Sequence, residues 1–189
     1  MKTFYFFALV TLLVGTMTSC DPAKEFEIEL KVIDSCITEI DKIDILYKGI
    51  EFDSLQYMVD HVNHNEKMMK DYFVADTIDM LLGSYMNNCK GVRKSMGNIA
   101  VNKEEFGKEI TAQYNQFSNL KTDILNGVLD KEQINNYLTT EKNSLSEFSF
   151  AFMNFYDNQK AQSQIYYQCV PFVDEYVKTL DIPSGDTLQ

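Results

Sequence analysis

Two histidines, His61 and His64, lie three residues apart in the segment DHVNHNE and are the first candidates for metal chemistry. Imidazole nitrogens are common metal ligands, and residues at i and i+3 can share one face of a helix. Val62 marks the apolar face, and at 100° per residue His61 lies about 100° and His64 about 160° away from it. Ligands in a helical bundle point inward, whereas these angles predict that both histidines point outward, so we expect both to be structural or solvated. We therefore expect no metal site. His61 and His64 are the candidate ligands that this expectation sets aside.

Thiols offer a second kind of chemistry, and the chain has four cysteines, Cys20, Cys36, Cys89 and Cys169. Their spacing contains no C-x-x-C pair, which argues against a zinc site, a c-type haem or a disulfide framework. Cys89 falls on the apolar seam of its helix, and Cys36 and Cys169 fall beside theirs, where a free cysteine acts as a small hydrophobic residue. We expect these three to be unpaired. One disulfide among them is the alternative, and the sequence does not say which two would pair.

Catalytic signatures are missing from the sequence. It contains no glycine-rich phosphate loop, no nucleophile elbow and no HExxH motif, and its many carboxylates fall on outward faces of the expected helices. The formal charge of −11 disfavours nucleic acid as a partner, because such a surface repels phosphates. We therefore expect a protein that is not an enzyme and that has no cofactor.

The N-terminus reads as a targeting segment. A basic start, MK, precedes a stretch from Phe4 to Val14 that is apolar except for one threonine. A bilayer span needs about 20 residues, so this stretch is too short to cross one, but it fits the apolar core of a signal peptide. An ordinary signal peptidase prefers small residues at −3 and −1, and a cut before Cys20 would place the bulky Met17 at −3. The ordinary cleavage site is therefore a poor fit.

The residues Met17, Thr18 and Ser19 leading into Cys20 resemble the lipobox of bacterial lipoproteins. The T-S-C ending, together with the abundance of Asn, Lys, Ile and Tyr, is similar to lipoproteins of the Bacteroidota. The resemblance implies that residues 1–19 are removed and that the thiol of Cys20 carries a diacylglycerol. It places the mature protein in the cell envelope, lipid-anchored to a membrane on the periplasmic side or at the cell surface. Two acyl chains are enough for stable attachment.

Helical periodicity covers the mature chain from residue 23 to about 180. It predicts helices over 22–48 and 51–73, a third from an N-cap at Asp76 to Gly97, a fourth from an N-cap at Asn102 to Gly127, and a last one from Asp130 that Pro171 kinks or ends. The connections are short, which favours antiparallel neighbours. The prediction is an all-α, elongated antiparallel bundle of four to five helices with coiled-coil-like seams and one long C-terminal helix. One domain spans 20–180, and 181–189 form a flexible tail.

Four positions of the last helix break its apolar pattern. Glu141, Gln159 and Gln162 interrupt the seam, and they either fix the register or mark where the helix outruns its neighbours and becomes wet, which we favour. Phe150 projects among polar residues, so it either packs on an outer helix or is exposed as a contact for a partner.

These features predict a membrane-anchored helical lipoprotein with a structural or protein-interaction role. Its partners would be the membrane and an envelope protein that the sequence does not identify. The alternative is a periplasmic bundle that binds a small ligand or a metal, since aromatic and methionine side chains can line a cavity as well as fill a core.

Overall fold

The computed structural model describes residues 22–74 and 79–181. These residues form helices and no strand, which confirms the all-α fold and the long C-terminal helix. The helices are α1 (Pro22–Glu25), α2 (Glu27–Lys48), α3 (Phe52–Tyr72), α4 (Met80–Met96), α5 (Ile99–Leu125) and α6 (Lys131–Val177). The five long helices pack as a bundle. Cys20 and residues 182–189 lie outside the described residues, so lipidation and the flexible tail remain predictions.

Two helix ends follow the sequence signals. Asp130 is the N-cap of α6 and forms a capping box, in which its side chain accepts from the Gln133 backbone N–H while the Gln133 side chain accepts from the Asp130 N–H. Gly127 follows α5 with a φ of 65°, a left-handed conformation that glycine adopts without steric cost. The N–H of Gly127 then bonds the Ile124 carbonyl and the N–H of Val128 bonds the Asp123 carbonyl, which closes α5 with a Schellman motif.

Two predicted helix starts are wrong. The N-cap of α4 is Asp79, whose carboxylate accepts from the N–H groups of Leu81 and Leu82, and not Asp76, which lies outside the described residues. Helix α5 begins at Ile99, so Asn102 lies inside it. Aspartate and asparagine can cap any helix whose first backbone N–H groups lie within reach of their side chains. Their presence in the sequence therefore does not identify which of several neighbouring residues is the N-cap.

Pro171 does not end α6, which continues to Val177. A proline removes one backbone donor and leaves the carbonyl four residues earlier without its helical partner. That carbonyl belongs to Tyr167, and both Tyr167 and Pro171 are exposed, so water can replace the lost bond. The uninterrupted α6 has 47 residues and is therefore about 70 Å long at 1.5 Å per residue.

Helices α2 and α3 run one after the other along α6, in the same direction. Glu39 of α2 contacts Ser149 of α6, and His61 of α3 contacts Tyr166 of α6. Later residues of the first two helices therefore contact later residues of α6. The short link between α2 and α3 therefore continues the direction of the chain. The expectation that every short connection produces an antiparallel pair is wrong here.

Helices α2 and α3 form one column of the bundle and α6 forms a second. Helices α4 and α5 form the third column and run antiparallel to α6. Asp79 at the start of α4 meets Tyr176, and Gln113 of α5 meets Ser144. The chain thus goes up through α2 and α3, down through α4 and α5, and up again through α6. The bundle has three columns, and the antiparallel arrangement holds between columns.

This order divides the rod into two halves along α6. The near half, which contains Pro22, consists of α1, α2, α5 and residues 131–152 of α6. The far half consists of α3, α4 and residues 155–177 of α6, and it ends near Asp181.

Aromatic side chains fill the junction between the halves, where two of the three columns are interrupted. The ring of Phe106 lies 5.4 Å from Phe152 and 5.0 Å from Phe155, and Phe155 stacks on Phe52 at 6.2 Å. Tyr47 adds a tilted contact to Phe52 at 5.4 Å. The phenylalanine-rich stretch of α6 therefore supplies the large side chains that are needed where α2 and α4 end.

Candidate functional site

A polar cluster joins α3 to α6 in the far half, and His61 is its centre. The Nδ1 atom of His61 lies 2.7 Å from the hydroxyl of Tyr166, and its Nε2 atom lies 3.2 Å from Oδ1 of Asp174. The amide of Asn65, one turn after His61, donates to the same Oδ1 at 2.6 Å. Tyr166 and Asn65 are buried, and the side chain of His61 is 17% exposed. We call these four residues the His61 cluster.

The partners suit one tautomer of the neutral ring. With a proton on Nε2 facing the Asp174 carboxylate, Nδ1 accepts a hydrogen bond from the Tyr166 O–H, and both nitrogens are satisfied. Burial raises the pKa of Tyr166 to about 12, and the nearby Tyr57 and the Asp174 carboxylate act in the same direction. The Tyr166 hydroxyl therefore keeps its proton at neutral pH and remains a donor.

An Asp–His pair beside a hydroxyl is the arrangement that enzymes use to activate a nucleophile. Here the hydroxyl is a buried tyrosine with a raised pKa, and each nitrogen of His61 already has a partner. A groove of about 450 Å³ lies in the far half between α3 and α4, but its lining does not include His61. The geometry suits a cluster that fixes the position of α3 on α6.

The prediction that both histidines point outward is wrong for His61. Helix α3 packs on both α4 and α6, so it buries two adjacent stripes and not one. Val62 lies on one stripe, while His61, Met58 and Asn65 lie on the side that faces α6. A single apolar seam was too narrow a description for a helix with two neighbours.

His64 is half-buried on the same helix. Burial lowers its pKa, and the electrostatic effects of the neighbouring His61 and Lys67 lower it further, while Asp174 acts in the opposite direction. Within the described ranges, no group of three or more His, Cys, Asp or Glu side chains is placed to hold a metal ion.

A disulfide between Cys89 and Cys169 joins α4 to α6, with Cα atoms 6.0 Å apart. Both residues are buried. The expectation that these thiols are unpaired is therefore wrong, and the single-disulfide alternative holds. Among the described residues, Cys36 is a free and buried cysteine, and burial raises the pKa of its thiol. Spacing along the chain could not identify the pair, because the two residues are 80 positions apart and meet only in the folded bundle.

An ion pair completes the links of the far half. Nε of Arg93 on α4 lies 3.0 Å from Oε2 of Glu66 on α3, and both side chains are partly buried, at 30% and 25% exposure. Each pair of helices in the far half thus has its own polar or covalent link: the ion pair between α3 and α4, the disulfide between α4 and α6, and the His61 cluster between α3 and α6.

Other residues singled out from the sequence lie elsewhere. Phe150 is 72% exposed on α6, so it does not pack on an outer helix. Gln159 is buried, so the interpretation of its position as a wet one is wrong; Glu141 and Gln162 are half-buried.

Tyr166 and Asp174 were not predicted from the sequence as partners of His61. Two features of the sequence could have suggested partners for His61. Asn65 is a polar residue one helical turn after it, and Asp174 is a carboxylate near the end of the last helix. Their meeting depends on the parallel course of α3 and α6, which the sequence did not reveal.

Comparison with protein-family models, with curated proteins and with solved structures finds no match for this chain. Among the described helices, none combines the length and the apolar character that crossing a membrane requires.

Proposed function

We propose that this protein is a lipid-anchored helical lipoprotein of the bacterial cell envelope, and that it acts through its shape and its contacts with other proteins. The observation that carries the proposal is the position of the first described residues. Pro22 packs at the near end of the rod, where its Cγ lies 3.9 Å from the position that a Cβ on Gly127 would take. Cys20, the residue that resembles a lipidation site, is two residues earlier. A lipid there would hold the near end at the membrane.

The disulfide supports a location outside the cytosol. Disulfides persist in oxidising compartments such as the periplasm and the cell surface, and they are rare in reducing ones. The Cys89–Cys169 pair is buried and joins two helices, which is typical of a structural disulfide.

The geometry of the polar groups supports a role without catalysis. The His61 cluster satisfies its own donors and acceptors, and His61 has no nitrogen left to accept a proton from a substrate.

The surface of α6 supports a role in protein contacts. Phe150 is exposed and has the partly exposed Met153 one turn away, which makes a small apolar site on an otherwise polar face. We propose this site as a contact for an envelope protein.

Fractionation of cells that express the full-length protein tests the anchor. The wild-type protein should sediment with membranes, and Cys20→Ala should be released or left unprocessed. Cys36→Ala is the matched control, because it removes a cysteine that is free and buried, and it should stay in the membrane fraction. Membrane retention of Cys20→Ala at wild-type levels, with the same processed mass, would contradict the proposal.

Protease treatment of intact cells then decides the side of the membrane, since only a surface-exposed protein is digested. Chemical crosslinking of whole cells tests the partner contact: Phe150→Ala should lose a crosslinked species that forms with the wild type, whereas Tyr137→Ala, at another exposed aromatic position on α6, should keep it.

A further inference from the structure

The near end of the rod exposes apolar side chains beside Pro22. Val128, in the loop between α5 and α6, is 65% exposed, and Leu125, the last residue of α5, is 43% exposed. We call Leu125, Val128 and the loop residues 126–130 the near tip. The loop contains the Schellman turn, so its backbone is fixed by hydrogen bonds and holds Val128 outward.

The length of chain between the near tip and Cys20 restricts what can cover this surface. Two residues span at most about 7 Å when they are fully extended. Because Pro22 packs against Gly127, a lipid on Cys20 would place the near tip at the level of the headgroups. Apolar side chains of an interfacial segment enter the boundary between headgroups and acyl chains by about 5–10 Å.

We propose that the near tip is a second membrane contact, in which Leu125 and Val128 enter the interface of a zwitterionic bilayer beside the acyl chains of Cys20. The inference rests on the proposed lipid anchor. Charged residues of both signs lie near the tip or near Pro22 in the sequence, Asp123 and Asp130 against Lys24 and Lys131, so charge gives it no attraction to anionic headgroups. The contact would fix the tilt of the rod, because a single flexible attachment would leave the rod free to swing.

The absence of tryptophan from the chain makes this contact measurable, because one substitution introduces a single fluorescent reporter. Val128→Trp places it at the near tip. Val74→Trp is the matched control, since Val74 is also an exposed valine but lies at the far end, next to the C-terminus of α3. The acylated full-length protein, purified from membranes, is reconstituted in phosphatidylcholine vesicles with and without brominated acyl chains.

We expect the emission of Val128→Trp to shift to shorter wavelength and to lose most of its intensity in brominated vesicles, while Val74→Trp keeps its intensity. Leu125→Trp provides a second reporter if Val128→Trp alters the fold, as judged by circular dichroism. Unquenched emission at the near tip of a protein whose mass includes the acyl chains would overturn the contact and leave the anchor intact. Equal quenching at both ends would also overturn it, because the rod would then lie along the bilayer. A mass without acyl chains would overturn the anchor and the contact together.

Discussion

The two halves of the rod have the same three-column design but are held together differently. In the near half, α2 is linked to its neighbours by exposed pairs: Lys121 donates to Asp34 at 2.5 Å, and Ser149 donates to Glu39 at 2.6 Å. In the far half, the links are a buried disulfide, a partly buried ion pair and the His61 cluster. Exposed ion pairs contribute about 0–1 kcal/mol, so α2 depends on apolar packing, while the hydrogen bond of the buried Gln113 to Ser144 in the near half joins α5 to α6. The far half adds specific links to a similar core.

This difference fits the proposed arrangement. The near half would be held by the membrane at one end and by the aromatic junction at the other. The far half would project by several tens of ångströms without other support, and its links would keep three helices in a fixed relation where a partner meets them.

The largest effect is expected at the junction, on which both halves depend. Phe152 is fully buried and contacts the ring of Phe106. Phe152→Ala should lower the free energy of unfolding by about 3–5 kcal/mol, because it removes a large side chain and leaves a cavity. Urea unfolding followed by circular dichroism measures the change.

Phe150→Ala is the control for that substitution, since Phe150 is two residues away and exposed. It should change the free energy of unfolding by no more than about 0.5 kcal/mol. Equal losses for the two variants would contradict the account of the junction.

The disulfide should have the next largest effect, and its effect should be confined to the far half. Replacing both Cys89 and Cys169 by alanine should lower the free energy of unfolding by about 2–5 kcal/mol. Amide hydrogen exchange should become faster in α4 and in the far part of α6, and change little in α2. Exchange that rises equally in both halves would contradict the proposed difference between them.

A reductant offers an independent check of the same link. It should lower the unfolding midpoint of the wild type and of Cys36→Ala alike, because Cys36 is not in the disulfide. An unchanged midpoint for the wild type would show that the pair contributes nothing.

The His61 cluster should have a smaller effect. Asp174→Ala leaves Nε2 of His61 and the Asn65 amide without their carboxylate, and an unpaired buried polar group costs about 1–3 kcal/mol. Glu175→Ala is the matched control, because Glu175 is exposed and pairs only with Lys178, also exposed. If Glu175→Ala lowered the free energy of unfolding as much as Asp174→Ala, the His61 cluster would not be a specific source of stability.

The smallest expected effect is a pH dependence that belongs to the far half. The pKa of His64 is lower in the folded protein than its ordinary value near 6.5, so the unfolded chain binds the proton more readily. Above the ordinary pKa, His64 is neutral in both the folded and the unfolded chain, and the shift costs no stability. Stability is lost as the pH falls through the ordinary pKa toward the lower pKa of the folded protein, because the unfolded chain takes up the proton first. Of its titratable neighbours, His61 and Lys67 strengthen the effect and Asp174 weakens it.

His64→Gln should therefore lose less thermal stability than the wild type between pH 7.5 and pH 5, a range chosen to bracket about 6.5. Melting temperatures of both proteins across this range measure the difference. A steeper decline for the variant would contradict the direction of the pKa shift.

Local signals predicted the fold class and two helix ends. The all-α class follows from periodicity, and Asp130 and Gly127 act within their own turns, so neighbouring residues determine their roles. The direction of successive helices was not predictable in this way, because a two- or three-residue link can either reverse the chain or continue it. That choice decides which parts of α3 and α6 meet.

The candidate site was less predictable, because its residues meet across columns. Gln113 illustrates the limit: it is a polar residue, yet it is fully buried, where its amide donates to Ser144 at 2.7 Å, while its aromatic neighbour Tyr114 is exposed. A helix with two neighbours buries a wider arc than a single seam describes. The same reason explains the error at His61.

The central claim is that the near end of the rod is the membrane end, and the intact mass of the mature protein tests it most directly. Protein extracted from membranes should begin at Cys20 and carry the added mass of a diacylglycerol, with or without a further acyl chain on its new amino terminus. Peptide mapping should place that mass on the first residue. An unmodified protein, or one that begins at any other residue, would contradict the account.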